Sequence, residues 1–377
     1  MRIASISLHW PRTKDSGVGK KLARQIETWQ AAGHEARLFM HTSRVTDLAT
    51  LVPAEVIPYA SAGTVTAELA RSRAARQLVE AVRAWHPDLI YLRLAMYVYP
   101  VHRLAEIAPL VGEANTNDLT QHEGLGKVYA LYNRLTRGLL LRRLDGLVTV
   151  SRELAEAPAF ARYRKPARVI ANGIDLDNFT PLPAPSNPTP RLAFIANPGY
   201  LWHGVDKLVT LARLVPDIQV DIIGYDSLPV RQDKISPYPE NLHLHGYLSA
   251  SEYRKILGNA DAAVSSLALH RIGLEEASPL KSRECLALGL PLVLAYIDTD
   301  LRDLEADFLL RIPNKEDNIQ THAHAIRDFA YRMRGKRVDR ALIAPLDQKV
   351  KERQRLEFFE EIVTRHSSHT PMSLRGA

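Results

Sequence analysis

Residues 275–293, EEASPLKSRECLALGLPLV, read as a helix held between two strands. Ser278 is suited to cap the helix and Pro279 to open it, while Gly289 and Pro291 close the far end, so a helix is predicted from about Pro279 to Leu288. The start of a helix exposes unpaired N–H groups and a partial positive charge, which acidic residues normally answer. This one carries Lys281 and Arg283 instead. An anion docked on the amides of Leu280 and Lys281 would turn the mismatch into an attraction, because backbone dipole and ammonium would then act on one negative charge. Glu284 lies three residues past Lys281 on the same side of the helix, and Glu276 sits in the loop ahead of the cap. Carboxylates repel phosphate but accept hydrogen bonds from hydroxyls, so the set suits a sugar phosphate or a nucleoside diphosphate sugar better than bare phosphate. The competing reading makes Lys281 and Arg283 solvated residues paired with Glu276 and Glu284, an arrangement that contributes little at a surface.

With 377 residues, 46% of them hydrophobic and 24% charged, the chain has the profile of a soluble protein large enough for two domains. No apolar run approaches the roughly 18 to 20 residues of a membrane span, and the alternating start MRIASISLHWP lacks a cleavage signal, which predicts a cytoplasmic protein. The single cysteine, Cys285, excludes an internal disulfide and a thiolate metal cluster, and its helical position suits a buried apolar role. A net charge of +7 fits an anionic partner; aromatics interleaved with the basic residues are too sparse to single out nucleic acid.

From the N-terminus, the apolar run Arg2 to Leu8 predicts a strand. A loop with Gly17-Val18-Gly19 follows, then a helix with Leu22, Ile26 and Trp29 at helical spacing. The glycines fail the phosphate-loop pattern, which needs glycine at Lys14 and Ser or Thr at Lys21, and the dinucleotide fingerprint lacks its third glycine. Arg93 follows the apolar strand Leu89 to Leu92 at its C-terminal edge, where open α/β sheets bind ligands. Asn115-Thr116-Asn117-Asp118, with His122 and Glu123 behind, follows the strand Leu110 to Ala114 and suits a cleft rim or a turn and cap. Lys127 to Leu144 is a basic helix with the stripe Val128, Leu131, Leu135 and Leu139; it is expected to pack that stripe inward, with an anionic membrane surface as the alternative. Five prolines between Pro181 and Pro190 predict a stiff linker and a domain boundary. Strand and helix patterns then alternate again from Leu192 to Leu267, so both halves read as parallel α/β domains. His243 and His245 share a strand face without a third metal ligand in view, and read as core or wall residues. A charged helix with Leu356, Phe358 and Phe359 on one face is expected between Asp347 and Val363.

Glu276 and Glu284, with seven residues between them and the tail Ala-Leu-Gly-Leu-Pro-Leu-Val behind, resemble the donor-site signature of retaining GT-B glycosyltransferases, particularly glycosyltransferase family 4. The glycine loop, Gly33-His34-Glu35, VTVSRELAE and VIANGIDLDNF resemble other segments of the same family, and Ser-Pro-Leu-Lys in the middle of the signature looks like a known subgroup of it. The resemblance implies a GT-B fold: two Rossmann-like parallel α/β domains facing across a cleft, residues 1–183 on the acceptor side and 184–345 on the donor side. A final helix within 346–377 would cross back to the first domain.

The expected donor contacts are Gly17, Gly19, Arg93, Ser278, Leu280 and Glu284; the resemblance implies Glu284 on the ribose and Glu276 and the loop amides on the sugar and phosphates. Glu113 and Asn115 stand nearest to where the family commonly places a histidine, and His203 replaces its usual lysine. Lys281 therefore becomes the main cation for the diphosphate, and Lys207 a second one. Glu276, Lys281, Asn115 and Glu113 form the expected catalytic set. No metal or other cofactor is expected. The implied reaction moves a sugar from a nucleoside diphosphate sugar to a hydroxyl of a glycan, lipid-linked or small-molecule acceptor, in polysaccharide or glycoconjugate assembly. No nucleic acid partner is expected; peripheral contact with the inner face of the membrane remains an alternative. A sugar-nucleotide-binding protein without transferase activity and a nucleotide-sugar epimerase of the same fold are the competing readings.

Overall fold

The structure, a computed structural model, describes residues 1–8, 17–43, 52–59, 65–123, 126–228 and 238–369. It forms two compact units, one of residues 1–171 with 349–377, the other of residues 172–348.

The first unit contains β1 (Arg2–Leu8), α1 (Gly17–Ala31), β2 (Glu35–Thr42), β3 (Ala54–Pro58), α2 (Val65–Ala84), β4 (Leu89–Arg93) and β5 (Leu110–Ala114). It continues through α3 (Asp118–Glu123), α4 (Lys127–Leu141), β6 (Gly146–Thr149), α5 (Arg152–Glu156), α6 (Pro158–Ala161) and β7 (Ala167–Val169). Its strands form one sheet in the order β3-β2-β1-β4-β5-β6-β7, parallel throughout. A parallel sheet is covered on both faces, so its strands must be apolar on both sides. Alternation along β1 shows this: Ala4, Ile6 and Leu8 enter one buried cluster, and Ile3 enters the other with Leu38, Met40 and Tyr91.

The second unit contains β8 (Arg191–Ile195), α7 (Val205–Leu214), β9 (Gln219–Ile223), β10 (Leu242–Leu244), α8 (Ala250–Asn259), β11 (Ala262–Val264) and β12 (Glu276–Ala277). There follow α9 (Leu280–Ala287), β13 (Leu292–Leu294), β14 (Ile297–Asp298), β15 (Leu309–Arg311), α10 (Asn318–Met333) and α11 (Gln348–His369), the last of which carries the chain back to the first unit. The sheet runs β10-β9-β8-β11-β13-β15, again parallel, and β12 with β14 makes a short separate ladder. Both sheets reverse strand order once, between β1 and β4 and between β8 and β11, and a crevice for ligands opens beyond the strand ends at such points.

The proline run is not the boundary that its composition predicts. Units divide at Ala171/Asn172, and the run packs within the second unit: the Leu182 amide donates to the Leu288 carbonyl at 2.9 Å, and Arg337 donates to the carbonyls of Leu182 and Pro183. Proline removes donors but leaves carbonyls, and one guanidinium collects them. On α11, Phe359 is buried against Trp29 and Tyr91, with ring centroids 5.6 and 5.1 Å away.

Candidate active site

In the second unit the decisive helix starts one residue later than predicted. Pro279 keeps an extended ψ of 134°, so α9 begins at Leu280 and Ser278 does not cap it. The Ser278 hydroxyl instead accepts the Asn172 amide at 3.2 Å, and the Asn172 side chain donates to the Ser278 carbonyl at 2.9 Å. The amides of Leu280 and Lys281 consequently find no acceptor among the described residues. They stand at the positive end of the helix.

Lys281 reaches the carboxyl end of β8, beside the point where the sheet reverses order. Its ammonium donates to the Ile195 carbonyl at 3.1 Å and lies 5.0 Å from the ring centre of Phe194 and 5.4 Å from that of Trp202. Among the described residues no carboxylate pairs with it, and burial pushes its pKa down to about 7. The competing reading, in which Lys281 and Arg283 are solvated residues paired with Glu276 and Glu284, is therefore overturned. Arg283 is fully buried and pairs with Asp298 and with Asp300 at 3.0 Å, while its Nε donates to the Asn172 carbonyl. It points inward because α9 is only two turns long and its buried side also carries Ser282, whose hydroxyl meets Ser265 and Tyr296.

The two glutamates are held separately. Glu276 is buried on β12 and pairs with Arg302 at 2.9 Å; Glu284 accepts a hydrogen bond from the Tyr253 hydroxyl. A carboxylate has about four acceptor directions, and the Tyr253 hydroxyl takes one of those of Glu284. His203 is buried on the turn before α7, where Gly204 takes a left-handed φ of +71° and a Cβ would come 2.9 Å from that of Leu267. Burial, and then the charge of Lys281, push the His203 pKa down to about 3. Its Nδ1 accepts the Asn197 amide at 3.3 Å, so the neutral ring carries its proton on Nε2 and offers a donor but no charge. Lys207 is engaged within its own unit. It is buried under α10, donating to the Lys315 carbonyl at 2.6 Å and to Asn318 at 3.0 Å.

The first unit gathers charge at the ends of β4 and β5, where Arg93 and Glu113 are register partners. Glu113 is fully buried; it accepts from Lys21 at 2.8 Å and from Arg93 at 3.4 Å, with Arg355 of α11 at 3.8 Å. Burial pushes its carboxyl up, but Lys21, Arg93 and Arg355 together hold it well below the usual carboxylate range. A carboxylate held in this way is a poor proton acceptor, so any part Glu113 takes is as a fixed negative charge among cations. Asn115 accepts from Lys21 at 3.2 Å, while its buried Nδ2 finds no acceptor among the described residues. Gly17 and Gly19 lie inside the first turn of α1, not in a loop ahead of it, and residues 9–16 fall outside the described residues. His243 and His245 pair with Gln219 and Asp221.

Sequence reading missed Lys21, Arg302, Tyr253 and Arg355. Lys21 and Glu113 are 92 positions apart, and Arg302 is 26 from Glu276, so no local pattern announces either pair.

The sequence model of Glycosyltransferase Family 4 matches residues 16–178. Among solved structures, the chain is similar to the apo form of the lipopolysaccharide outer core galactosyltransferase WaaB, at 12% identity and a TM-score of 0.68, covering 97% of this chain and 100% of that one. It is also similar to sucrose-phosphate synthase from Thermosynechococcus elongatus, at 16% identity and a TM-score of 0.57, covering 97% of each chain. HepE from Anabaena, solved in complex with UDP-glucose, aligns at 16% identity and a TM-score of 0.57 over 98% of this chain and 100% of that one. These likenesses establish the GT-B fold. Comparison with curated proteins finds no match.

Proposed function

We infer, from the Glycosyltransferase Family 4 match over residues 16–178 and a chain with the GT-B fold, that this protein is a glycosyltransferase using a nucleoside diphosphate sugar. The observation that carries this reading is Lys281: a buried cation with no carboxylate partner among the described residues, on a helix whose first two amides are also unsatisfied. A diphosphate answers all three groups at once, and the UDP-glucose bound to HepE is a ligand of that class.

On this reading Glu284, set by Tyr253, takes the ribose hydroxyls, and Glu276, set by Arg302, takes hydroxyls of the donor sugar. The neutral His203 donates one hydrogen bond through Nε2. As the bond from the sugar to the diphosphate breaks, charge grows on the departing oxygens. Lys281 and the amides of Leu280 and Lys281 stabilise it in place, an electrostatic task that needs no proton transfer. Asn115, with its unsatisfied Nδ2, is the candidate for an acceptor hydroxyl in the first unit, with Arg93 beside it. We further propose that the sugar keeps its anomeric configuration, that no metal or other cofactor takes part, and that the acceptor belongs to a growing glycan, a lipid-linked saccharide or a small molecule. The test is a thermal-shift panel of nucleoside diphosphate sugars, followed by product analysis by NMR with candidate acceptors. Stabilisation by one donor and a product of retained configuration are expected; no stabilisation by any donor would overturn the reading.

One observation favours a second reading, a sugar-nucleotide-binding protein without turnover: with His203 neutral and Lys207 engaged elsewhere, Lys281 is the one cation left for the diphosphate among the candidate groups of the second unit's described residues. Tight donor binding with no transfer to any acceptor would select it. Conversion of donor with no acceptor present would point instead to an epimerase.

A further inference from the structure

The loop between β11 and Glu276 is fastened along its backbone, and most of the fastening comes from one distant segment. At its start the amides of Leu267 and Ala268 donate to the carbonyls of His203 and Trp202 at 3.1 and 3.2 Å, so the loop and the turn before α7 are bonded to each other. The remaining bonds come from residues 313–318, at the start of α10. Asn318, buried, donates to the carbonyls of Leu267 and Pro313 at 3.0 Å each. Asn314 accepts the His270 amide through Oδ1 at 3.0 Å and donates through Nδ2 to the Leu274 carbonyl at 2.8 Å. Glu316 accepts from the His270 ring at 2.7 Å and from Arg271, whose guanidinium also takes both oxygens of Asp206 at 2.8 and 2.7 Å.

These fastenings differ in kind. The carboxylates of Glu316 and Asp206 stand 66% and 40% exposed, and ion pairs open to water contribute little. Asn314 instead spends its oxygen and its nitrogen on two backbone groups four residues apart, so His270 and Leu274 cannot separate without losing a bond. Between them Gly273 holds a left-handed φ of +66°, and a Cβ built there would meet nothing within 4 Å. Glycine enters that conformation readily and leaves it as readily, so packing does not hold the bend and the asparagine does. Two residues past Leu274 the chain reaches Glu276, which enters β12 while the Glu275 carbonyl accepts the Ile297 amide at 2.9 Å.

We propose that Asn314 is a positioning residue for recognition of the donor sugar: by closing the bend 270–274 it sets the path on which the backbone delivers Glu276, and so which sugar hydroxyls that carboxylate meets. Arg302 fixes the direction of the Glu276 carboxylate, and Asn314 fixes where its backbone stands. The assignment rests on the donor reading above and concerns the sugar half of the donor alone. The diphosphate half falls to groups that Asn314 does not hold: Lys281 bonds to the Ile195 carbonyl, and α9 is tied through Arg283 to the Asn172 carbonyl.

The test is calorimetric titration of the full chain, Asn314→Ala and Asn314→Asp with three ligands. These are the nucleoside diphosphate sugar that most stabilises the wild type, the same nucleotide carrying an epimeric sugar, and the bare nucleoside diphosphate. Aspartate keeps the acceptor for the His270 amide and offers the Leu274 carbonyl no donor, so this variant carries the comparison if alanine prevents folding. In both variants the preference for one sugar over its epimer should fall by about tenfold or more, the effect of one misplaced hydrogen bond to a charged group. Affinity for the bare diphosphate should stay within about twofold, which a general loosening of the unit would not spare. A preference kept by the variants overturns the proposal. So does a wild type that binds both sugars alike, or an affinity for the bare diphosphate that falls as far as that for the donor. A wild type that binds no nucleoside diphosphate sugar overturns the donor reading itself, and the proposal with it.

Discussion

On the proposed reading Lys281 concentrates the chemistry of the second unit, because it is buried without an opposing carboxylate among the described residues. Replacing it by alanine should weaken donor binding and, at saturating donor, lower turnover by about a hundredfold or more, since removing one donor to a charge-developing oxygen has that size of effect elsewhere. Turnover near wild type would remove Lys281 from the reaction. Its pKa near 7, lowered from an ordinary lysine value, also fixes a pH dependence. Between about 7 and the unfolded value the unfolded chain binds the proton and the folded, unliganded chain does not, so this group's contribution to stability rises with pH across that window. Diphosphate binding has the opposite sign, because it requires the ammonium: affinity should fall as pH rises through 7, approaching tenfold per unit. Calorimetric titration of a nucleoside diphosphate from pH 6 to 9 should show this slope in the wild type and not in Lys281→Met. Lys281, Glu276 and Glu284 could be named from the sequence because the signature is local. Arg302 and Tyr253, which set the carboxylates, could not, because chain folding alone brings them there.

α9 shows how a short element is aimed. Its hydrophobic residues do not form a stripe strong enough to orient it; Arg283 does so, buried between Asp298, Asp300 and the Asn172 carbonyl. Arg283→Met should destabilise the second unit by about 3–5 kcal/mol, because it leaves two acids without their counter-charge inside the protein. Urea unfolding would measure it, and a loss under 1 kcal/mol would show that other contacts hold the helix. The helix itself was legible from Pro279 and Gly289, whereas its first residue was not. Serine is a good cap only where its backbone leads directly into the helix, and the extended Pro279 moves Ser278 out of that position.

At the scale of the molecule, two units with separate cores are joined by a chain that passes at Ala171/Asn172 and returns at Gln348/Lys349. Phe359 sits in the core of the first unit although it is carried by the last helix. Phe359→Ala should cost that unit about 3–5 kcal/mol by emptying a filled site beside Trp29 and Tyr91. Unfolding followed by Trp29-sensitive fluorescence should shift to lower urea, while melting of a donor-bound second unit stays put. Equal shifts in both would show that the units unfold together.

The sequence alone determined the parallel α/β character of both halves, the presence of a helix between Pro279 and Gly289 and the pair of glutamates with a lysine between them. Those properties follow from periodicity and from neighbours within a turn or two, which one dimension records. Only tertiary structure decided that Lys207 is buried under another helix, that Glu113 is flanked by three cations, that the prolines belong to one unit and that the aliphatic side of α4 is exposed. Each of these depends on which surfaces meet across tens or hundreds of positions, and a helical stripe reads the same whether a core covers it or nothing does.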